Sequence, residues 1–148
     1  MEFKLKTFHE LSPEQLYQLL RLRQEVFVLE QSCLYQDLDD KDQAAQHLWL
    51  EDEAGQILAE CRLLQKGVSF DDAASIGRVI TAPFARKQGL GQVLLEEALR
   101  VLKMQEEKKV KIEAQYYAKV FYEKLGFKQI SDIFLEDEIE HIQMELDL

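Results

Sequence analysis

Apolar and polar residues alternate from Glu2 to Phe8, with Phe3, Leu5 and Thr7 on one side, which is the two-residue period of a β-strand. The period then lengthens. Ser12 suits an N-cap, Pro13 the first helical position and Gln15 the third residue of a capping box, while Leu11 and Leu16 occupy the staple positions. Leu16, Leu19, Leu20, Val26 and Phe27 carry a helical stripe to about Leu29. Glu30 to Asp42 shows neither period and reads as a loop with a helical turn, its acids expected outside the core. Gln46 to Glu51 and Gln56 to Gln65 are apolar-rich runs separated by Asp52, Glu53, Ala54 and Gly55, the pattern of a hairpin. Ala74 to Thr81 reads as another strand, followed by a loop over Ala82 to Gln88.

A second helix is expected over Leu90 to Gln105, burying Leu94, Ala98, Val101 and Leu102. Glu96, Glu97, Arg100 and Lys103 face outward in this reading, with Glu96 and Arg100 spaced as an i,i+4 pair. Lys109 to Ala114 reads as a strand, Tyr117 to Leu125 as a helix closed by Gly126, and Phe127 to Ser131 and His141 to Asp147 as final strands. The order is strand, helix, three strands, helix, strand, helix, two strands. It implies an α+β fold of three layers: a mixed, mostly antiparallel central sheet with helices on both faces.

The chain has 148 residues, 47% of them hydrophobic and 31% charged, the composition of one globular domain spanning residues 1–148. No stretch reaches the roughly 18 apolar residues of a membrane helix. Charged residues break the N-terminus where a signal peptide would be apolar, so a cytoplasmic protein is expected, with no membrane partner. Cys33 and Cys61 read as reduced thiols, and with three histidines they show no ligand spacing for a metal. A net charge of −10 argues against nucleic acid, because binding a polyanion needs a surplus of cations. The charge is uneven. From Asp132 to Leu148 there are seven acids and no Lys or Arg, read as a solvated face, while Arg78, Arg86 and Lys87 concentrate positive charge in mid-chain.

The most specific constellation is Arg86-Lys87-Gln88-Gly89-Leu90-Gly91, between an expected strand and an expected helix. Glycines there let a ligand approach the backbone, and the N–H groups of a first helical turn converge on one point. Such a turn suits a phosphate or pyrophosphate. The spacing is neither that of a Walker loop nor the three-glycine dinucleotide pattern, so nucleotide hydrolysis and hydride transfer are not indicated.

This run resembles the acetyl-CoA pyrophosphate loop, Q/R-x-x-G-x-G/A, of the GCN5-related N-acetyltransferases, with Arg86, Gly89 and Gly91 in the matching positions. A second block, Ala118-Lys119-Val120-Phe121-Tyr122-Glu123-Lys124-Leu125-Gly126-Phe127, is similar to that family's A-x-x-F/L-Y-E-K-x-G-F segment. The run from Leu22 to Asp42, Ile76-Gly77-Arg78-Val79, and Glu136-Asp137 followed by His141-Ile142 further resemble its ElaA-like subgroup.

The resemblance implies that acetyl-CoA is the co-substrate and that an amine, of a small molecule or a peptide, attacks it directly. It implies that the backbone of Val79, Ile80 and Thr81 holds the pantetheine and thioester. The pyrophosphate falls to Arg86, Lys87, Gln88, Gly89, Leu90, Gly91 and Gln92, with Gln115 and Ala118 beside the cofactor arm. Gln115 stands where many relatives carry Asn. Tyr122 matches the residue that protonates the departing thiolate in many members, and a phenol keeps its proton at neutral pH. The general base is open among Glu30, His47, Glu60, Glu113 and His141, with Glu113 and His47 put forward. The Glu30 to Asp42 loop is expected to line the acceptor pocket, its acids suiting a cationic amine. A covalent route through Cys33 is disfavoured, since no local His activates it. A sensor that binds acetyl-CoA without turnover is the alternative from another class. Dimers are common in the fold, so a homodimer stands among the expected partners, although no interface is legible.

Overall fold

The computed structural model describes residues 1–148. Strand β1 (Glu2–Thr7) leads through a 3₁₀ turn to helix α1 (Pro13–Arg23). The capping box forms: the Ser12 hydroxyl oxygen accepts from the Gln15 amide at 3.1 Å, and the Ser12 amide donates to Gln15 Oε1 at 3.0 Å. The helix does not run on regularly to Leu29. After Arg23 it widens into a π-helical stretch over Gln24–Glu30, which keeps Val26 in the core while Arg23 itself is buried.

Strands β2 (Gln46–Glu51) and β3 (Ile57–Leu64) form the expected hairpin, and β4 (Ala74–Thr81) pairs antiparallel with β3. Helix α2 (Leu90–Met104) precedes β5 (Lys109–Gln115); α3 (Lys119–Lys124) is shorter than expected because Tyr116–Ala118 winds as a 3₁₀ turn. The chain closes with β6 (Lys128–Gln129), β7 (Phe134–Glu136) and β8 (Ile139–Asp147). The expected strand over Phe127 to Ser131 thus pairs over only two residues. β7 is an element the periodicity missed: three residues, within the acidic run, are too short to show alternation. The sheet order is β1-β2-β3-β4-β5-β8-β6, with β7 also on β8, and every pairing is antiparallel except β4 with β5.

The core is one cluster in which Leu94, Ala98, Val101 and Leu102 of α2 meet the sheet, as expected, with Leu95 equally buried. Arg100 does not pair with Glu96. Its guanidinium binds Glu97 one residue closer, and Glu96 accepts instead from Gln92. Helices cover both faces. Arg62 on β3 joins the ion cluster that anchors α1, whereas α2 and α3 lie on the opposite face.

Two features open the sheet where the phosphate-type loop begins. The first is a bulge in β4. Glu60 pairs with Ile80 and Arg62 with Gly77, so Cys61 stands opposite both Arg78 and Val79. Arg78 lies there at φ +50, a left-handed conformation that costs a side-chain-bearing residue roughly 1 to 3 kcal/mol and recurs at functional sites. The second is a splay. Parallel β4 and β5 pair only at Ala74 with Val110 and Ser75 with Lys111, after which the strands diverge.

Candidate active site

The splay opens into a cleft of about 840 Å³. One side is β4 from Ser75 to Thr81, the other β5 from Ile112 to Gln115, and Ala118, Phe121 and Tyr122 come from the α3 segment. A strand edge without a partner strand carries free N–H and C=O groups, so these walls offer a backbone ladder to an extended ligand. Val79, Ile80, Thr81, Arg86, Gly91, Gln115, Ala118 and Tyr122 all line this one cavity. Lys87, Gln88 and Gly89 are exposed on the turn outside it, and Leu90 has its side chain in the core, so only its backbone can face a ligand.

The turn into α2 has the geometry of an anion site. Gly89 sits at the N-cap with φ +74 and offers no side-chain cap, so the first-turn N–H groups stay free at the positive end of a 15-residue helix. Lys87 at φ +65 helps bend the loop. Arg86 is engaged elsewhere: its Nη1 and Nη2 donate to the two carboxylate oxygens of Glu30 at 2.8 and 2.5 Å. That hydrogen-bonded pair holds Glu30 below its usual range and straps the end of the π-helical stretch to the loop before α2.

Tyr122 packs edge-on against Phe121 and Phe127, with ring centroids 5.1 and 5.8 Å away. Burial raises its hydroxyl above the ordinary tyrosine range, so the group is a protonated donor at neutral pH.

The base candidates separate cleanly. His47 is buried on β2 with Nε2 3.0 Å from the Asp42 carbonyl oxygen, and burial lowers its pKa; it does not line the cleft. Glu60 is buried in β3, has one carboxylate oxygen without a partner, and is raised well above the glutamate range by burial; it too lies outside the cleft. Glu113 and His141 do line it, facing the same side of neighbouring strands, since Glu113 pairs with Gln143 and Gln115 with His141. Loss of solvent and then the nearby Glu136 carboxylate raise Glu113 above its usual range.

Asp42 corrects the expectation that the acids of the Glu30 to Asp42 loop stay outside the core: it is buried, with Asp37 and Asp39 half-buried beside it, while Glu30 and Asp40 are exposed. Arg23 donates to Asp37 at 2.8 Å and to both oxygens of Asp42, while Arg62 donates to Asp42 and Asp39. Arg78 places Nε 2.7 Å from Asp37 Oδ1 and donates Nη2 to the Asp37 carbonyl at 2.8 Å. Three arginines therefore neutralise three aspartates, and Arg23 is 2% exposed. These acids hold the loop to the sheet and are not free for a cationic substrate. Glu136, which in the sequence stands out only through the subgroup resemblance, lines the cleft from β7, and Phe134 of the same strand, unmarked in the sequence, stacks on His141; the two-residue turn that follows, at Asp137 and Glu138, takes φ +52 and +65 without glycine or asparagine.

The site is thus a parallel pair that splays beside a β-bulge, with an uncapped helix start bordering the opening. Residues 7–148 match the model of the acetyltransferase (GNAT) domain, and the chain belongs to that family. It is 37% identical over 140 residues to the protein ElaA of Escherichia coli, covering 91% of this chain and 89% of ElaA. A UPF0039 protein of Schizosaccharomyces pombe is 37% identical over 150 residues, covering 100% of this chain and 98% of its own. Among solved structures, an acyl-CoA N-acyltransferase from Pseudomonas aeruginosa superposes with TM-score 0.90 at 37% identity, covering 98% of this chain and 99% of that one. The crystal structure of E. coli ElaA gives 0.88 at 33% identity, over 97% of both chains. The chain is an acyltransferase.

Proposed function

We propose that this enzyme transfers the acetyl group of acetyl-CoA to a primary amine by direct attack within a ternary complex. The splay between β4 and β5 is the observation that carries the reading. A pantetheine arm is a chain of amides, and it fits a slot whose walls are unpaired strand edges. The uncapped start of α2 would take the pyrophosphate, and the bulge at Arg78 and Val79 would aim backbone N–H groups at the thioester carbonyl.

The amine enters as an ammonium and loses one proton to become nucleophilic. Its nitrogen attacks the thioester carbon, the tetrahedral adduct loses a second proton, and the C–S bond breaks. Tyr122 then gives its proton to the thiolate and regains one from solvent. The products are the amide and free coenzyme A, with one proton released. The two cysteines are free thiols, which suits a reducing, cytoplasmic compartment.

A screen of small amines and lysine-containing peptides, read by thiol release from acetyl-CoA, tests the reading. Amine-dependent release above background is expected. Tight acetyl-CoA binding by calorimetry without release for any amine would favour a sensor.

A further inference from the structure

We infer that His141 is the base that takes the proton from the acceptor ammonium, with Glu136 placed to stabilise the imidazolium. The inference rests on the amine-acetylating reading of the cleft and assigns a step that Tyr122 cannot perform.

His141 is only 8% exposed yet borders the cleft. Its Nδ1 lies 2.7 Å from the carbonyl oxygen of Ile139, two residues back on the same strand. A carbonyl can only accept, so the proton of the neutral ring sits on Nδ1 and the lone pair on Nε2. Nε2 makes no hydrogen bond, and its neighbour is Glu136 Oε2 at 3.8 Å, beyond hydrogen-bond reach. Phe134, opposite His141 in the β7–β8 pairing, stacks on the imidazole at 6.0 Å and 24° and holds its plane.

Every part of this arrangement serves proton acceptance. A fixed tautomer presents a lone pair, a stack prevents rotation, and a carboxylate waits beside the nitrogen that becomes charged. The same cleft also carries Glu113 of β5, Asp137 of the β7–β8 turn, Arg78 of β4 and Lys41 from the loop before β2, which acts on Glu113. The carboxyls of Glu113 and Glu136, both lining the cleft, offer oxygen acceptors to an ammonium approaching Nε2. His47, the other buried histidine, has its Nε2 committed to a carbonyl and no outlet to the cleft.

The proton balance closes without any further reagent. One proton passes from the ammonium to Nε2 and on to solvent after product leaves. The second nitrogen proton balances the one Tyr122 delivers to sulfur.

Two arms test the assignment. Long-range ¹H–¹⁵N NMR on the protein with coenzyme A bound reads the ring directly and requires no acceptor. The expected neutral form is protonated at Nδ1; a neutral ring protonated at Nε2 overturns the inference. In the kinetic arm, His141→Asn keeps a donor toward the Ile139 carbonyl but removes the basic nitrogen. With an alkylamine accepted by the parent enzyme, kcat/KM should fall by about 10² to 10⁴. With methoxyamine, already neutral at the assay pH, the loss should shrink to a few-fold. Equal losses with both amines would make His141 a packing residue, as would a rate within a few-fold of the parent for the alkylamine. His141→Ala leaves a ring-sized gap, and added imidazole should restore part of its rate; no restoration counts against the base role. A parent enzyme that releases no thiol with any amine would sink the acetyl-transfer reading, a result separable from all of these.

Discussion

Tyr122 occupies an aromatic corner where burial keeps its hydroxyl protonated and where the α3 segment meets the cleft. Replacing it with Phe keeps the ring and both edge-on contacts, so folding and acetyl-CoA affinity should stay close to those of the parent. The chemical step should slow by about 10² to 10⁴, the usual worth of a general acid. Thiol release under conditions where chemistry limits turnover measures it, and a rate within a few-fold of the parent would leave Tyr122 as packing only. Gly89 is the other position where one side chain decides an outcome. A Cβ there would meet no protein atom within 4 Å, so the cost of Gly89→Val comes from φ +74, which a β-branched residue resists. The turn should shift and the first-turn amides lose their common aim. Calorimetry is expected to show acetyl-CoA affinity falling at least tenfold in a variant that remains folded; unchanged affinity would remove the phosphate role from this turn.

Among the elements, the loop between the π-helical stretch and β2 owes its position to charge. Asp42 has a side chain 8% exposed between Arg23 and Arg62, and removing it leaves both guanidinium groups short of a partner. Leaving buried charge uncompensated typically costs about 3 to 5 kcal/mol, so Asp42→Ala should lower the urea midpoint by a corresponding amount with little change in slope. A loss under 1 kcal/mol would mean that water reaches the cluster freely. Long elements were readable before the structure: the α2 stripe, the capping box at Ser12, the β2–β3 hairpin and the strand before the glycine turn all stand where their periodicity places them. What escaped was set by tertiary contacts. Nothing local marks Asp42 as buried or Asp37 and Asp39 as half-buried, since each is drawn in by an arginine from α1, β3 or β4 that arrives to meet it. β7 exists because β8 supplies its partner. His47 looked like a base because spacing cannot reveal that its nitrogen faces a carbonyl.

Across the molecule, buried and half-buried acids set opposing pH dependences. Burial works against ionisation of Asp39 and Asp42, but hydrogen bonds and charge from Arg62 and Arg23 outweigh it and hold both below the ordinary range. Their contribution is present above the unfolded carboxylate pKa of about 4 and is lost as pH falls through the lower folded values. Glu60 runs the other way. Burial raises it well above the glutamate range, so the folded state holds a proton that the unfolded chain releases above about pH 4.3. Stability from this site therefore declines as pH rises from there until the folded group ionises. Glu60→Gln should be more stable relative to the parent at pH 8 than at pH 5, measured by thermal melting at both. A difference that does not grow with pH would mean that Glu60 is ionised in the fold.

The divergence of β4 from β5 also has a mechanical meaning. With only two rungs joining them, the sheet is a pair of plates, β1 to β4 and β5 to β8, sharing a short hinge at Ala74, Ser75, Val110 and Lys111. An amide chain lodged between the plates supplies the missing rungs, as a zipper closes two edges of cloth. Cofactor binding should then stiffen the whole sheet. Gap-facing amides within 76–81 and 112–115 should exchange with deuterium quickly in the free protein and become protected with coenzyme A bound, and the slowing should extend into β8 beyond any direct contact. Exchange unchanged in both plates would show that they are already locked without the ligand.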